Sequence, residues 1–494
     1  MFTAKLLNAG VARRLQAGLV FIIVLAHSYA LSQRGLLEQF NPDDTTNMYM
    51  AWIKSDAHLL YTSAIALWEG EVRPVGLLFY RLVHKFFGFN SYPFRVACFA
   101  FLLANLALQF RLFLQVFPKL EFASLALLVA SFNGALWSIY ASTGTIFDIL
   151  CLFFLLLALR SYIGYLERRR VWMLGSVYLC SILAIQSKEM GYTAPVLLLC
   201  YEACYAIPAA GRPYWPSIRR ALFRVAPVTG VAALGIGGMI WGSRVMFRLP
   251  GYTPHLSWST FVETNAAHMT MLFYREWSVT PAAGLVILGG TLLLAVALRS
   301  RAAIFGWLFY NAALLPISFV AARSDGYVLY TAYTGCAIYM AGVVQAIAEG
   351  VASRFPGQLR PRIAVAAALL IAALVVHVQQ VQAAGCVGRG FGPGGQPMVG
   401  DLAATASSPG AAAKKRVILV DDPFAGDYWQ PLFILRLSRN DINLDLIRTT
   451  SDQIKAGNTP DVRPGDQILV YSDHVYREVA PDMLPGLAAS RAGE

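Results

Sequence analysis

Charge is scarce in this chain of 494 residues: Asp, Glu, Lys and Arg together make up 14%. Soluble domains carry roughly 25%. With 57% hydrophobic residues and a mean hydropathy of +0.53, the chain falls outside that class and reads as a polytopic membrane protein. Acidic residues are the rarer sign, 28 against 40 Lys and Arg, for a net charge of +12. The excess does not indicate nucleic acid, because the basic residues sit in short links between apolar runs rather than on one amphipathic face. Cysteine supplies no framework either. Cys98, Cys151, Cys180, Cys200, Cys204 and Cys336 fall in or beside apolar runs, where a thiol behaves as a small hydrophobe. Cys386 alone lies in a segment read as polar and exported. Cys200 and Cys204 are one helical turn apart, not a metal-binding spacing. Internal repeats are lacking, and the apolar runs carry their charges at their ends.

What is present is a succession of those runs. At about 20 residues per crossing, they predict about eleven spans, at 17–31, 93–117, 122–140, 146–166, 171–185, 192–207, 222–241, 282–298, 303–322, 327–348 and 363–379. Lys5, Arg13 and Arg14 precede the first. Arg168-Arg169-Arg170, then Arg212 with Arg219 and Arg220, Arg299 with Arg301, and Arg354 with Arg360 and Arg362 occupy alternate links on the same side. Positive charge favours the cytoplasm, so the N-terminus is expected there. Ser28-Tyr29-Ala30 resembles a signal-peptide cleavage site, but the first helix is expected to stay uncleaved, since the later charges then fall on the correct side.

The opposite face collects the loop 32–92, the links 141–145, 187–191 and 323–326, the loop 243–281, and everything from 385 onward. In the first loop, 48–67 and 75–87 carry apolar residues at helical spacing, with Trp52, Tyr61, Trp68 and Tyr80 suited to the headgroup level. Residues 390–413 are rich in Gly, Pro, Ser and Ala and read as a linker. Beyond them, 416–420 and 467–471 read as buried strands and 430–437 and 451–456 as helices, a small α/β domain of about 80 residues. The expected organisation is a transmembrane domain over 1–384, a linker over 385–413 and a soluble extracytoplasmic domain over 414–494, periplasmic if the membrane is a bacterial inner membrane.

Polar residues at span ends on one membrane face are where chemistry on a lipid-borne substrate would sit, since burying charge in a bilayer costs about 2.5–3.5 kcal/mol even on insertion scales. Asn41-Pro42-Asp43-Asp44 brings two carboxylates just past the first span, suited to a general base, although the tetrapeptide is also good turn chemistry. Lys188-Glu189 sits between two spans and reads either as a phosphate-facing pair or as a salt bridge closed within its own turn. Arg323 has Asp325 nearby to neutralise it. Asp148 lies just inside a span opened by Thr143-Gly144-Thr145, where the helix dipole alone would favour it. Arg73-Pro74 is a further candidate, and His255, Glu263 and His268 are loop polars without metal spacing. A leaving phosphate needs positive charge and an acceptor hydroxyl needs a base. Cations and carboxylates gathered on one face suit glycosyl transfer from a polyprenyl-phosphate sugar.

Ordered fragments give this expectation a family. Phe40-Asn41-Pro42-Asp43-Asp44, Arg73-Pro74 with Phe87-Gly88-Phe89-Asn90, the stretch 142–150 containing Asp148, Ser187-Lys188-Glu189 with Pro195, and Arg323, Tyr327, Tyr330 and Gly335 occur in this order. Over approximately 17–345 the chain resembles the integral-membrane GT-C glycosyltransferases, especially the protein O-mannosyltransferases and their tetratricopeptide-bearing relatives. The resemblance implies an all-α polytopic GT-C fold and an inverting hexosyltransferase with a polyprenyl-phosphate-linked donor. The acceptor hydroxyl would belong to protein, lipid or glycan. Asp43 would be the catalytic base with Asp44 beside it; Arg73, Asp148, Lys188, Glu189, Arg323 and Tyr327 would serve the donor and its phosphate. Thr145 stands where that family has an arginine, and Asp-Asp replaces its Asp-Glu, a pair that could hold a divalent ion or divide base and hydrogen-bonding roles. Tetratricopeptide repeats are absent. A transporter or flippase of lipid-linked glycans is the alternative from another class, disfavoured by the missing repeat symmetry and the apolar span interiors.

Overall fold

The computed structural model describes residues 2–70, 72–211, 213–242, 253–273, 277–320, 326–355, 357–386, 398–408, 414–424 and 427–483. It is a polytopic α-helical membrane protein with a small C-terminal α/β domain. The chain divides into two compact units: one comprises 1–36, 57–76 and 96–389, the other 37–56, 77–95 and 390–494.

In the first unit the windows read as spans fall on helices, except that 303–322 is helical only as far as Leu314 and its last two residues lie outside the described residues. Among the described residues, seven helices are long and apolar enough to cross a bilayer: Val11–Leu37, Ser91–Val116, Thr143–Arg168, Glu189–Ala210, Tyr214–Trp241, Gly326–Ala352 and Leu359–Cys386. Leu120–Ala130 and Gly134–Ala141 make an eighth if the pair, bent by 46°, is one span. The break follows from Asn133, whose side chain accepts the Ala135 N–H and starts a new turn. Val171–Ser187 and Pro281–Ala297 are apolar but shorter, and Arg301–Leu314 has 14 residues. Thr143–Arg168 is the central helix, 72% of its apolar window being buried, whereas Leu359–Cys386 buries only 11% and lies at the periphery. Cys386 ends that last helix and is buried, its Sγ 3.7 Å from the Gly134 carbonyl, rather than lying in a polar segment.

Lipid tails are as apolar as leucine, so membrane helices associate through close packing at small residues. Arg301–Leu314 and Tyr330–Ala352 do this: a Cβ on Gly306 would lie 2.4 Å from the Tyr339 nitrogen, and one on Gly335 2.4 Å from the Tyr310 nitrogen. Packing alone therefore accounts for Gly335. Gly335→Val should lower the thermal unfolding midpoint in detergent by an overpacking cost of about 1–3 kcal/mol or more. Gly350→Ala, where a Cβ meets open space, should leave it unchanged.

The second unit contains a four-stranded sheet of order β2-β1-β3-β4, with β1 Arg416–Val420, β2 Asp445–Thr449, β3 Gln467–Ser472 and β4 Val475–Val479. β1 pairs in parallel with β2 (Ile418 opposite Ile447) and with β3 (Ile418 opposite Ile468), while β4 runs antiparallel to β3. Ile418, Val420, Ile454, Ile468 and Val470 form its core. Asp473 and His474, both at positive φ, close the β3–β4 hairpin in two residues. β1 and β3 match the expected strands, and helices Trp429–Arg439 and Ser451–Lys455 the expected helices. β2 and β4 went unread because their alternation is broken by charge: Asp445 and Arg448 in β2, Arg477 and Glu478 in β4.

Two segments differ from their expected form. The stretch read as a linker holds the helix Met398–Ala406, which packs on Trp429–Arg439 and takes the Tyr476 N–H on Asp401 at 2.7 Å. The stretch 48–67 is not one amphipathic helix: Pro42–Trp52 ends at Ile53, and Asp56–Ala64 begins after Ser55, a residue type that favours helix starts. Part of the first loop, 37–56 and 77–95, belongs to the same unit as the C-terminal sheet.

Candidate active site

Asn41-Pro42-Asp43-Asp44 opens a helix rather than a loop turn. Asn41 is the N-cap of Pro42–Trp52 and proline fills its first turn. The Asn41 side chain accepts the Asp44 N–H at 2.9 Å, and Asp44 Oδ2 accepts the Asn41 N–H at 3.0 Å, a reciprocal capping box. Tyr80 donates its hydroxyl to Asp44 Oδ1 at 2.7 Å. Tyr80 is held in an aromatic cluster with Phe79 and Phe94, and Phe94 also meets Phe40 edge-on. Asp44 is completely buried, whereas Asp43 is exposed. Burial raises the Asp44 pKa above the usual carboxylate value, opposed by the Arg95 charge, the Asn41 N–H and Tyr80. The guanidinium of Arg95 is itself anchored on the Gln39 carbonyl at 3.1 Å. The adjacent carboxylates thus differ: Asp44 is fixed inside the fold and Asp43 faces outward. Each Asp44 oxygen already accepts a protein hydrogen bond, so the pair does not present two open carboxylates to a divalent ion. Among the described residues no other group of three or more His, Cys, Asp or Glu suits a metal.

The first unit brings together five further candidates: Arg73, Asp148, Lys188, Glu189 and Tyr327. Lys188 and Glu189 do not pair within their turn. Lys188, at the end of Val171–Ser187, turns extended and places Nζ 2.6 Å from both oxygens of Asp148, third residue of the helix Ile146–Arg168. This pair is deeply buried, the side chains being 7% and 4% exposed. The Lys188 ammonium also lies 4.6 Å above the Tyr327 ring. Glu189 instead faces Arg73, which donates Nε at 3.1 Å and Nη2 at 2.9 and 3.0 Å in a forked pair, with side chains 22% and 25% exposed. Consecutive residues of opposite charge are thereby tied to partners 40 residues upstream and 116 residues upstream.

Local features hold the two pairs in place. Arg73 adopts φ +53°, unusual for a non-glycine residue and more so before proline. Its guanidinium lies 5.6 Å over the Phe147 ring, and Phe147 in turn packs so tightly on Gly76 that a Cβ there would fall 2.1 Å from the ring. Gln186 donates to the Thr62 carbonyl. Tyr327, Tyr330 and Tyr333 follow at intervals of three. Tyr330 accepts from Asn105 at 3.2 Å, and Tyr333 accepts from Asn133 at 3.3 Å.

Asn133 and Tyr333 reach an apolar cavity of about 640 Å³, which continues past Ile287, Met340 and Leu374 and carries Gln379 and Thr291 among its few polar groups. This is the size of a ligand pocket. By contrast, the recess beside Arg73, Glu189 and Tyr192 measures about 20 Å³, room for one water molecule.

Arg323 lies outside the described residues. His268 is buried on the helix Trp258–Leu272, burial pushing its pKa down to about 4, while Glu263 of the same helix is exposed; the two do not form a pair. Tyr80, expected at the headgroup level, is instead fully buried against Asp44, and Arg95 and Phe147 are not among the residues that the sequence points to. Each contributes through a tertiary contact for which no local spacing exists.

No protein-family profile matches the chain, and no curated sequence matches it. Among solved structures, the crystal structure of ArnT from Cupriavidus metallidurans bound to undecaprenyl phosphate is similar at 12% sequence identity, covering 97% of this chain and 95% of that one with a TM-score of 0.46. At that identity and score the likeness assigns no role to any residue.

Proposed function

We propose that this protein is an integral-membrane glycosyltransferase of the GT-C type, which moves a sugar from a polyprenyl-phosphate carrier to an acceptor hydroxyl outside the cytoplasm. Asp43 takes the acceptor proton. The oxygen so activated attacks the anomeric carbon, the bond from that carbon to the phosphate oxygen breaks, and polyprenyl phosphate leaves with inversion at the sugar. Asp44 shapes the helix that presents Asp43. Arg73, the more exposed of the two paired cations, and Arg323 stabilise the departing phosphate. Lys188, saturated by Asp148, fixes the surrounding elements. The apolar cavity takes part of the polyprenyl chain.

The observation that carries this reading is the meeting of Arg73, Asp148, Lys188, Glu189 and Tyr327 in one cluster. These residues come from four separate fragments of the GT-C resemblance, spread over more than 250 positions. Structural ion pairs alone would not require that those particular fragments converge. The N-terminus is then cytoplasmic and the C-terminal domain extracytoplasmic, as the positive-inside pattern requires.

The test is transfer by the purified protein in liposomes, supplied with a panel of undecaprenyl-phosphate sugars and with peptide, lipid and oligosaccharide acceptors. Release of undecaprenyl phosphate matched by glycosylated acceptor is the expected result. Movement of intact donor between leaflets without cleavage would overturn it in favour of a flippase.

A further inference from the structure

We infer that the C-terminal domain positions the catalytic helix, through Phe433, Arg436 and Asn440. The inference rests on Asp43 acting as the base, and all the contacts lie within the second unit.

The helix Pro42–Trp52 has 11 residues, too few to be stable alone in water. Its N-terminal end is fixed by the Asn41–Asp44 capping box and by Tyr80. Its C-terminal end is held by the helix Trp429–Arg439, which joins β1 to β2. The Tyr49 ring stacks on Phe433 with centroids 4.1 Å apart and planes 10° apart. Arg436 Nη1 donates to the Tyr49 hydroxyl at 3.2 Å, and Trp52 Nε1 donates to Asn440 Oδ1 at 2.9 Å. Asn440, at φ +52°, caps the end of its helix.

The spacing shows two facing surfaces. Residues 433, 436 and 440 follow i, i+3, i+7, and residues 49 and 52 follow i, i+3, so each set occupies one side of its helix. The other side of Trp429–Arg439 buries Ile434 and Leu435. Greasy contact alone would let one helix slide or roll on another. A parallel ring stack with one hydrogen bond at Tyr49 itself and a second one turn further on, at Trp52, fixes both register and rotation. Asp43 precedes Tyr49 by six residues, about 9 Å along the axis at 1.5 Å per residue. A roll at Tyr49 is therefore carried to the carboxylate, and a misplacement of about 1 Å can cost about 100-fold in rate. Phe433, Arg436 and Asn440 are positioning residues, since they act on the reaction through Tyr49 and Trp52.

The experiment uses full-length Phe433→Ala, Phe433→Tyr and Arg436→Gln proteins in liposomes, with Asp43→Asn as reference. Transfer kinetics are read per folded molecule, together with amide hydrogen exchange over 42–52. Phe433→Ala should lower kcat by about 10- to 100-fold with donor KM within about twofold, and should speed exchange in that helix. Phe433→Tyr keeps the stack and should restore both. Unchanged exchange over 42–52 in Phe433→Ala, or kcat per folded molecule equal to wild type while Asp43→Asn is inactive, overturns the inference. Faster exchange in Phe433→Ala combined with an active Asp43→Asn would uphold the positioning of the helix and instead remove Asp43 from the chemistry.

Discussion

Asp43→Asn is expected to lower turnover by about 10²- to 10⁴-fold, the usual contribution of a general base, while leaving the fold intact. Asp43 is exposed and takes no part in the capping box, so its amide should shift the unfolding midpoint only slightly. Its neighbour should behave in the opposite way. Asp44→Leu removes the acceptor of both the Asn41 N–H and the Tyr80 hydroxyl, leaving buried donors unpaired at about 1–3 kcal/mol each. Asp44→Asn keeps an acceptor for the Asn41 N–H and should cost less. The pH dependence separates the two further. Burial raises the Asp44 pKa above 3.8, so the folded state holds that proton more tightly than the unfolded chain. The stabilisation is complete below pH 3.8 and is lost as pH rises through the higher folded value. Asp44→Asn removes this term and should flatten the fall in stability from acid towards neutral pH, measurable by thermal unfolding across pH in detergent. A turnover loss from Asp44→Asn as large as that from Asp43→Asn would count against the division of labour between the two carboxylates.

Local pattern made the helices and half of the sheet legible, because hydrophobic length and turn chemistry are properties of neighbours in the chain. Val417 to Val420 read as a strand on their own composition, whereas β2 is recognisable only beside its partner. The same limit governs the site. Asp148, Lys188, Glu189 and Arg73 were legible as charges that an apolar chain keeps for a reason. Their pairing was not, and the adjacency of Lys188 and Glu189 suggested a bridge that the structure replaces with two longer ones. An extended backbone at Lys188 sends consecutive side chains in different directions, and three residues on, the chain returns so closely to the helix it has just left that a Cβ on Gly191 would lie 2.4 Å from the Ile185 nitrogen. The asymmetry of Asp43 and Asp44 was likewise invisible. It depends on Tyr80, 36 positions away, arriving under one carboxylate and not the other.

Breaking the Lys188–Asp148 pair should have the largest effect on stability. Lys188→Met alone leaves a buried carboxylate without its counter-charge, and Asp148→Leu alone leaves a buried ammonium, at about 3–5 kcal/mol each. The double variant Lys188→Met/Asp148→Leu removes both desolvated charges and should recover most of the lost stability, because replacing a buried ion pair with apolar groups of similar volume is often neutral. The cycle also separates structural from chemical roles. If Lys188 serves only to join Val171–Ser187 to the central helix, the refolded double variant should transfer sugar at nearly the wild-type rate. If its ammonium leaves Asp148 to meet the donor phosphate during turnover, the double variant should be stable yet impaired, with a raised donor KM. The 7% exposure of Lys188 and its contact with both Asp148 oxygens at 2.6 Å favour the first outcome. Arg73, at 22%, should show the reverse pattern, with Arg73→Lys keeping the charge but losing the fork that grips Glu189.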